Sequence, residues 1–400
     1  MVSVIGVGLL ISALSINDAW IDRHFLPDYF KPPSVYHGWA SIARVVLALA
    51  GAATLLWLRP VAGRFAASRP PRELAISVAP TLVAMVLALV ASELILRTTY
   101  WRIAAEAPAS PEPRVRADPR LGWTFVPART GRVQVGGRLI DYAFDARGYR
   151  VPAAGQTPDP GKPTILFAGE SIMEGYGLTW AESIPAQVQS RLGVQTANAS
   201  VVGYSTDQVY LRLQQELPRF SRPLAVVLLF TPTLMAKNLS TVRPHLGPGL
   251  VWIAPRRLSR LQAIGIHAVP YHSDAAIAHG VAMTRAVLRA SVDMARARGA
   301  VPLIVTPVYG REEPAVRDLR RRILDEEGLP YVLVPLDPAW KVPGDGHPDA
   351  RGARAIADAV AARLSGALDP RLPRDRAIGT FHHQAHEDHQ DDQLRLTRSP

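Results

Sequence analysis

Ser171 lies in the stretch Thr164-Ile-Leu-Phe-Ala-Gly-Glu-Ser-Ile-Met-Glu-Gly175. A run suited to a buried strand stops at Gly169, and the serine follows in a turn before a helical pattern begins after Gly177. A hydroxyl placed there is exposed, and the free N–H groups of a helix start can face a developing oxyanion. The same arrangement also serves as a plain helix N-cap, and three residues do not separate the two. A second group is His347, two residues after Asp345 in Val342-Pro-Gly-Asp-Gly-His-Pro-Asp-Ala-Arg-Gly352. An imidazole can take a serine proton, and a carboxylate can fix its tautomer and balance its charge. The alternative is a surface turn capped by Asp345 or Asp349. A third candidate is Gly203, in Asn198-Ala-Ser-Val-Val-Gly-Tyr-Ser-Thr-Asp-Gln208. A glycine there lets backbone approach a substrate with its N–H, or it is a turn residue before an N-cap at Ser205 or Thr206.

These residues need a common frame, and the pattern from 162 to 368 supplies one. Strand candidates Thr164–Ala168, Val194–Asn198, Ala225–Phe230, Val301–Thr306 and Tyr331–Val334 alternate with helical patterns at Ile184–Leu192, Gln208–Leu217, 275–298, 314–327 and 349–364. Such alternation predicts a three-layer α/β/α fold with a mostly parallel sheet. Its ligand site lies beyond the carboxyl ends of the strands, where Ser171, Gly203, the 231–238 loop and His347 all fall.

With these residues in place, 162–368 resembles the SGNH (GDSL-like) esterase and acyltransferase superfamily. Gly169-Glu170-Ser171 looks like its nucleophile block, with Glu where Asp is usual. Gly203 looks like its second block, and Asp345-Gly-His347 like its last. Leu121-Gly-Trp123 and Arg147-Gly-Tyr-Arg150 look like the lead-in of membrane-anchored bacterial members. The resemblance implies Ser171 as nucleophile, His347 as base, Asp345 as its acid, and oxyanion donors at the Ser171 and Gly203 N–H groups, with no metal or organic cofactor. Two departures stand out. The third block's Asn is absent; Thr233 occupies its position and Asn238 follows in the same loop as a further candidate oxyanion donor. The acid precedes His347 by two residues rather than three, which leaves Asp337 as a fallback.

The 400-residue chain exceeds one ordinary domain. Its apolar content, 48%, is concentrated in the first hundred residues. Runs at Val2–Ile16, Trp39–Leu58 and Leu74–Leu96 read as three membrane helices. Arg59, Arg64, Arg69 and Arg72 between the last two predict a cytoplasmic loop, hence a cytoplasmic N-terminus and everything after the third run outside a bacterial inner membrane. The formal charge is +11, but no basic stripe interleaved with aromatics points to nucleic acid. There is no cysteine, which excludes disulfides, thiolate metal sites and a Cys nucleophile.

The expected organisation is an anchor at 1–97, a Pro-rich linker at 98–118, a small β-rich lead-in at 119–161, the main domain at 162–368 and a polar tail at 369–400. The tail gathers four histidines with acids in 381–389 but has few apolar residues, and reads as a disordered end rather than a metal site. The Pro-rich stretch 242–271 reads as a cap over the cleft or a surface insertion. The expected function is that of an anchored, extracytoplasmic serine ester hydrolase or O-acyltransferase acting on acyl or acetyl esters, those of an exported polysaccharide included. The alternative is a catalytically weak accessory protein that binds glycan or partner proteins in a membrane assembly.

Overall fold

The computed structural model describes residues 2–30, 33–106, 115–256, 262 and 271–368. The expected 107–113 linker segment, most of 257–270 and the His-rich tail lie outside them. Helix α1 (Val2–Ser15) spans only about 21 Å at ~1.5 Å per residue, short of the ~30 Å hydrocarbon core. It packs on α3 (Pro33–Ala53) and the residues just after it, where glycines let the helices approach: a Cβ at Gly6 would lie 2.7 Å from the Leu55 side chain, and one at Gly51 would lie 2.9 Å from that of Leu10. Between them α2 (Asp18–His24), capped by the Asn17 side chain on Trp20 N–H, bends away from α1 by 84°.

Helix α3 does not stop at Leu58 as expected. It continues through a π-turn (Thr54–Leu58) into α4 (Arg59–Ala67). Pro60 has no N–H for an α-helical ladder, and the wider turn just before it lets the helix run on. Val35–Ala67 is the one helix among the described residues long and apolar enough to cross a membrane. The third apolar run lies within α5 (Pro71–Glu106), where the described stretch Val83–Ile95 is apolar but shorter.

Beyond the helices, β1 (Val115–Asp118) and β2 (Gly122–Phe125) pair as a separate ribbon. Next come β3 (Thr130–Val135) and β4 (Arg138–Phe144), joined at Gly136 and Gly137, both with positive φ as a tight hairpin turn requires. The chain continues through β5 (Arg150–Val151), β6 (Thr164–Ala168), α6 (Ser171–Glu174), α7 (Ile184–Leu192), β7 (Gln195–Asn198), α8 (Thr206–Glu216), β8 (Pro223–Leu229) and α9 (Pro232–Asn238). A short ribbon follows, β9 (His245–Gly247) with β10 (Val251–Ile253). Then come α10 (Asp274–Ala297), β11 (Val301–Tyr309), α11 (Pro314–Arg320), β12 (Tyr331–Leu336) and α12 (Ala350–Leu368).

The main sheet has eight strands in the order β12-β11-β8-β6-β7-β5-β4-β3. The first five run parallel, and β5, β4 and β3 add antiparallel at one edge. The lead-in from 130 to 151 is therefore part of the sheet rather than a unit set before residue 162. Alternation in the central strands feeds two cores. Leu166, Val226 and Leu228 join the core under α8 and α10, and Ile165, Phe167, Val227 and Leu229 join that under α7 and α12. Every residue of β6 and β8 is buried, as expected of strands covered on both faces. From β6 the chain goes to β7 on one side and then to β8 on the other. The topological switch point therefore lies at the carboxyl end of β6, three residues before Ser171.

Candidate active site

Ser171 is fixed first by its glycine. A Cβ at Gly169 would lie 2.8 Å from Met173 and 3.0 Å from Leu229, so only glycine lets the chain turn off β6 at this point. Glu170 is extended at the N-cap, α6 is a single turn, and Gly175 ends it with φ +89°. Ser171 is buried, and its Oγ lies 2.7 Å from His347 Nε2. The other ring nitrogen, Nδ1, pairs with Asp345 Oδ1, which also accepts the His347 backbone N–H at 2.9 Å. The two-residue spacing therefore suffices, because the carboxylate folds back over its own turn. Asp337 is spent capping Ala339 N–H and takes no part. Burial pushes the Asp345 carboxyl up, but hydrogen bonds from the His347 ring and backbone outweigh this and hold it below its ordinary value.

The chain leaving β7 tracks β6, with Ala199 N–H on Phe167 O and Val201 N–H on Gly169 O. That brings Gly203 toward the Ser171 turn. Among the described residues, the N–H groups of Ser171 and Gly203 have no protein acceptor. The Gly203 loop is clamped from outside: Trp123 Nε1 donates to Val202 O at 3.0 Å, and Arg243 donates to Gly203 O. The Leu121-Gly-Trp123 motif thus holds this loop in place.

The two expected side-chain donors are spent elsewhere. Asn238 Nδ2 donates to Thr206 Oγ1 and to Thr284 Oγ1, and its Oδ1 accepts Asp207 N–H; it is a buried brace between α8, α9 and α10. Thr233 Oγ1 accepts Tyr29 N–H at 2.8 Å and lies 3.4 Å from Asp28 Oδ1. Neither has a free donor for an oxyanion.

Three features were not legible as site residues. Lys237, one helical turn beyond Thr233, sets its Nζ 2.8 Å from Glu170 Oε2, the oxygen to which Ser171 Oγ can also donate at 3.0 Å. Arg150, fully buried, donates to the carbonyls of Glu174, Gly175 and Leu178 and stacks 4.2 Å from the Tyr142 ring, while Tyr142 OH accepts Gly177 N–H. Strands β4 and β5 thereby lock the turn that follows the serine. Burial pushes the Glu174 carboxyl up to about 7, with Arg150 opposing the shift and Glu170 adding to it. The loop after α2 also reaches the site. The Phe30 and Tyr176 rings pack on His347 at 4.7 and 4.8 Å, and Tyr29 packs on Tyr309. Gly346 makes room for Phe30, since a Cβ there would lie 2.9 Å from the ring. Arg23 with Asp274, and His24 with the backbone of His272, fasten the same segment to the start of α10. Signals for these lie only in long-range topology.

No protein-family model and no curated protein matches the chain. Solved structures similar to it include a lipolytic protein of the G-D-S-L family from Desulfitobacterium hafniense, 13% identical over 50% of this chain and 98% of that one, TM-score 0.34. A GDSL-like lipase from Bacteroides thetaiotaomicron is 15% identical over 53% and 93%, TM-score 0.34. A carbohydrate acetylesterase family member from Sinorhizobium meliloti is 13% identical over 52% and 99%, TM-score 0.32.

Proposed function

We propose that this chain is a serine ester hydrolase, or an acyltransferase using the same acyl-enzyme, held at the outer face of a bacterial inner membrane. The observation that carries the reading is the continuous relay from Ser171 Oγ through the His347 ring to Asp345. His347 Nε2 takes the Ser171 proton as Oγ attacks the ester carbonyl, and Asp345 balances the imidazolium that forms. The Ser171 and Gly203 N–H groups receive the oxyanion. Collapse expels the alcohol, protonated by His347, and leaves an acyl-Ser171. Water or a sugar hydroxyl then gives its proton to His347 and attacks the acyl carbonyl; the bond to Ser171 Oγ breaks, Oγ takes the proton back from His347, and the acyl group leaves as the acid or on the sugar, an acylated glycan being the substrate in view.

The test is labelling of the full chain with a fluorophosphonate and turnover of a nitrophenyl acetate. Wild type is expected to label and turn over, and Ser171→Ala to do neither. Equal labelling of both removes Ser171 as nucleophile. A second reading, a weak or inactive accessory protein, draws on the engagement of Thr233 and Asn238 elsewhere. An acyl-Ser171 adduct detected by mass spectrometry excludes it.

For topology, the contacts of residues 23–30 with α10 and His347 support placing that loop and the main domain on one side of the bilayer. The Arg-rich segment 59–72 then lies on the other, cytoplasmic side. Alkaline phosphatase fused after residue 100 is expected to be active; an inactive fusion beside an active cytoplasmic reporter reverses the orientation.

A further inference from the structure

Ser171 has one hydroxyl proton and two acceptors within reach: His347 Nε2 at 2.7 Å and Glu170 Oε2 at 3.0 Å. Only transfer to His347 leads to acylation. A hydroxyl that donates to Glu170 instead points its proton away from the base. Glu170 is 1% exposed, and its other oxygen, Oε1, has no partner among the described residues. A bare buried carboxylate beside a nucleophile is a strong acceptor, and its charge opposes the negative charge that develops on the reacting oxygens. The one cation in ion-pair contact with it among the described residues is Lys237, whose Nζ takes the same oxygen that faces Ser171.

Resting on the serine-nucleophile reading, we infer that Lys237 is a positioning residue. Its ammonium occupies Glu170 Oε2, weakens that oxygen as an acceptor and directs the Ser171 proton to His347. It also sets a positive charge at the edge of the site, on the helix where Thr233 and Asn238 supply no donor. Lys237 follows Thr233 by four residues, so both lie on one face of α9.

The other charged and titratable groups around Glu170 come from several elements. Glu174 is on the far side of the α6 turn, and its raised pKa draws in part on Glu170; Arg243 comes from the clamp on Gly203; Tyr29 comes from the α2–α3 loop; His347 and Asp345 come from the loop before α12. None but Lys237 sits on the oxygen that competes for the serine proton. Removing the Lys237 ammonium takes away the positive charge beside the Glu170–Ser171–His347 run, which favours a protonated His347, so the acidic limb of the rate profile moves to higher pH. Removing both charges cancels that effect.

The experiment compares full-length wild type, Lys237→Met, Glu170→Gln and the double variant Lys237→Met/Glu170→Gln in detergent. Two quantities are read: the pH dependence of kcat and KM for a nitrophenyl ester, and the His347 titration by NMR of labelled imidazole. Lys237→Met is expected to lose about 10²-fold in kcat with little change in KM. Its acidic limb and its His347 titration are expected to move to higher pH. The double variant is expected to recover to within about tenfold of wild type, with the His347 titration back near its wild-type position. A Lys237→Met protein with wild-type kcat and His347 titration overturns the inference, and so does a double variant no better than the single one. The His347 titration reads the Lys237–Glu170 effect even if no ester is turned over. Failure of the esterase reading, which appears as an unlabelled wild-type Ser171, is thus distinct from failure of this one.

Discussion

Strands β6 and β8 are neighbours, run parallel and end level, with Ala168 opposite Leu228. The chain leaving each one is used differently. After β6 the backbone turns at once, and Ser171 has its hydroxyl within reach of His347 and Glu170 and its N–H unpaired among the described residues. After β8 the polar side chains are spent on architecture: Thr233 on the α2–α3 loop, and Asn238 on α8 and α10. A polar residue at the right strand end is thus a candidate donor only if its hydrogen-bonding capacity is unspent. A sequence does not record that; it is decided by segments distant along the chain.

The contrast can be broken at three points, in order of expected effect. Arg150 holds three carbonyls of the β6 turn from the lead-in strands and lies near Glu174 in the interior. Arg150→Met should lower stability by about 3 kcal/mol, because it strands those carbonyls and an acid. A chemical denaturation midpoint within error of wild type would show that the turn stands without this support. On the β8 side, Thr233→Val should change kcat by less than about threefold, whereas loss of a working oxyanion donor costs about 10²-fold or more. A loss of that larger size would return Thr233 to the oxyanion site.

The smallest effect concerns pH. Glu174 has its pKa raised from 4.5 to about 7 by burial, so the folded chain retains a proton that the unfolded chain releases. Its contribution to stability is full below about pH 4.5 and is lost as pH rises through about 7. Glu174→Gln should reduce the fall in the urea midpoint between pH 5 and pH 8. The slope should not vanish, because Asp207 is also pushed up to about 7 by burial. An unchanged slope would mean that Glu174 is already ionised in the fold.

What could be read from the sequence was local. The glycine stop before Ser171 and the Asp345-Gly-His347 turn each lie within a dozen residues, and a short motif suffices for them. The parallel sheet followed from strand candidates that alternate with helical patterns from 162 to 368, each of them a local signal repeated along the chain. Lys237, Arg150 and Phe30 were missed for one reason. Each reaches the serine turn from a segment that looks ordinary by itself: a lysine on a short helix, an arginine in a two-residue strand, an aromatic between apolar helices. The lead-in was set apart for the same reason, since its antiparallel joining to β7 depends on one pairing, Arg150 with Asn198.

The segment from α2 to Phe30 carries a mechanical consequence. Phe30 touches the imidazole, and α3 begins at Pro33, so at most about 10 Å of extended chain lies between the two. The main domain is therefore moored twice, once through the covalent run after α5 and once through this docked strap. One mooring would leave a ball on a string; two fix height and heading. Where α3 crosses a bilayer, this short link keeps His347 close to the bilayer surface. A cut between residues 107 and 114 would sever one rope and leave the domain berthed.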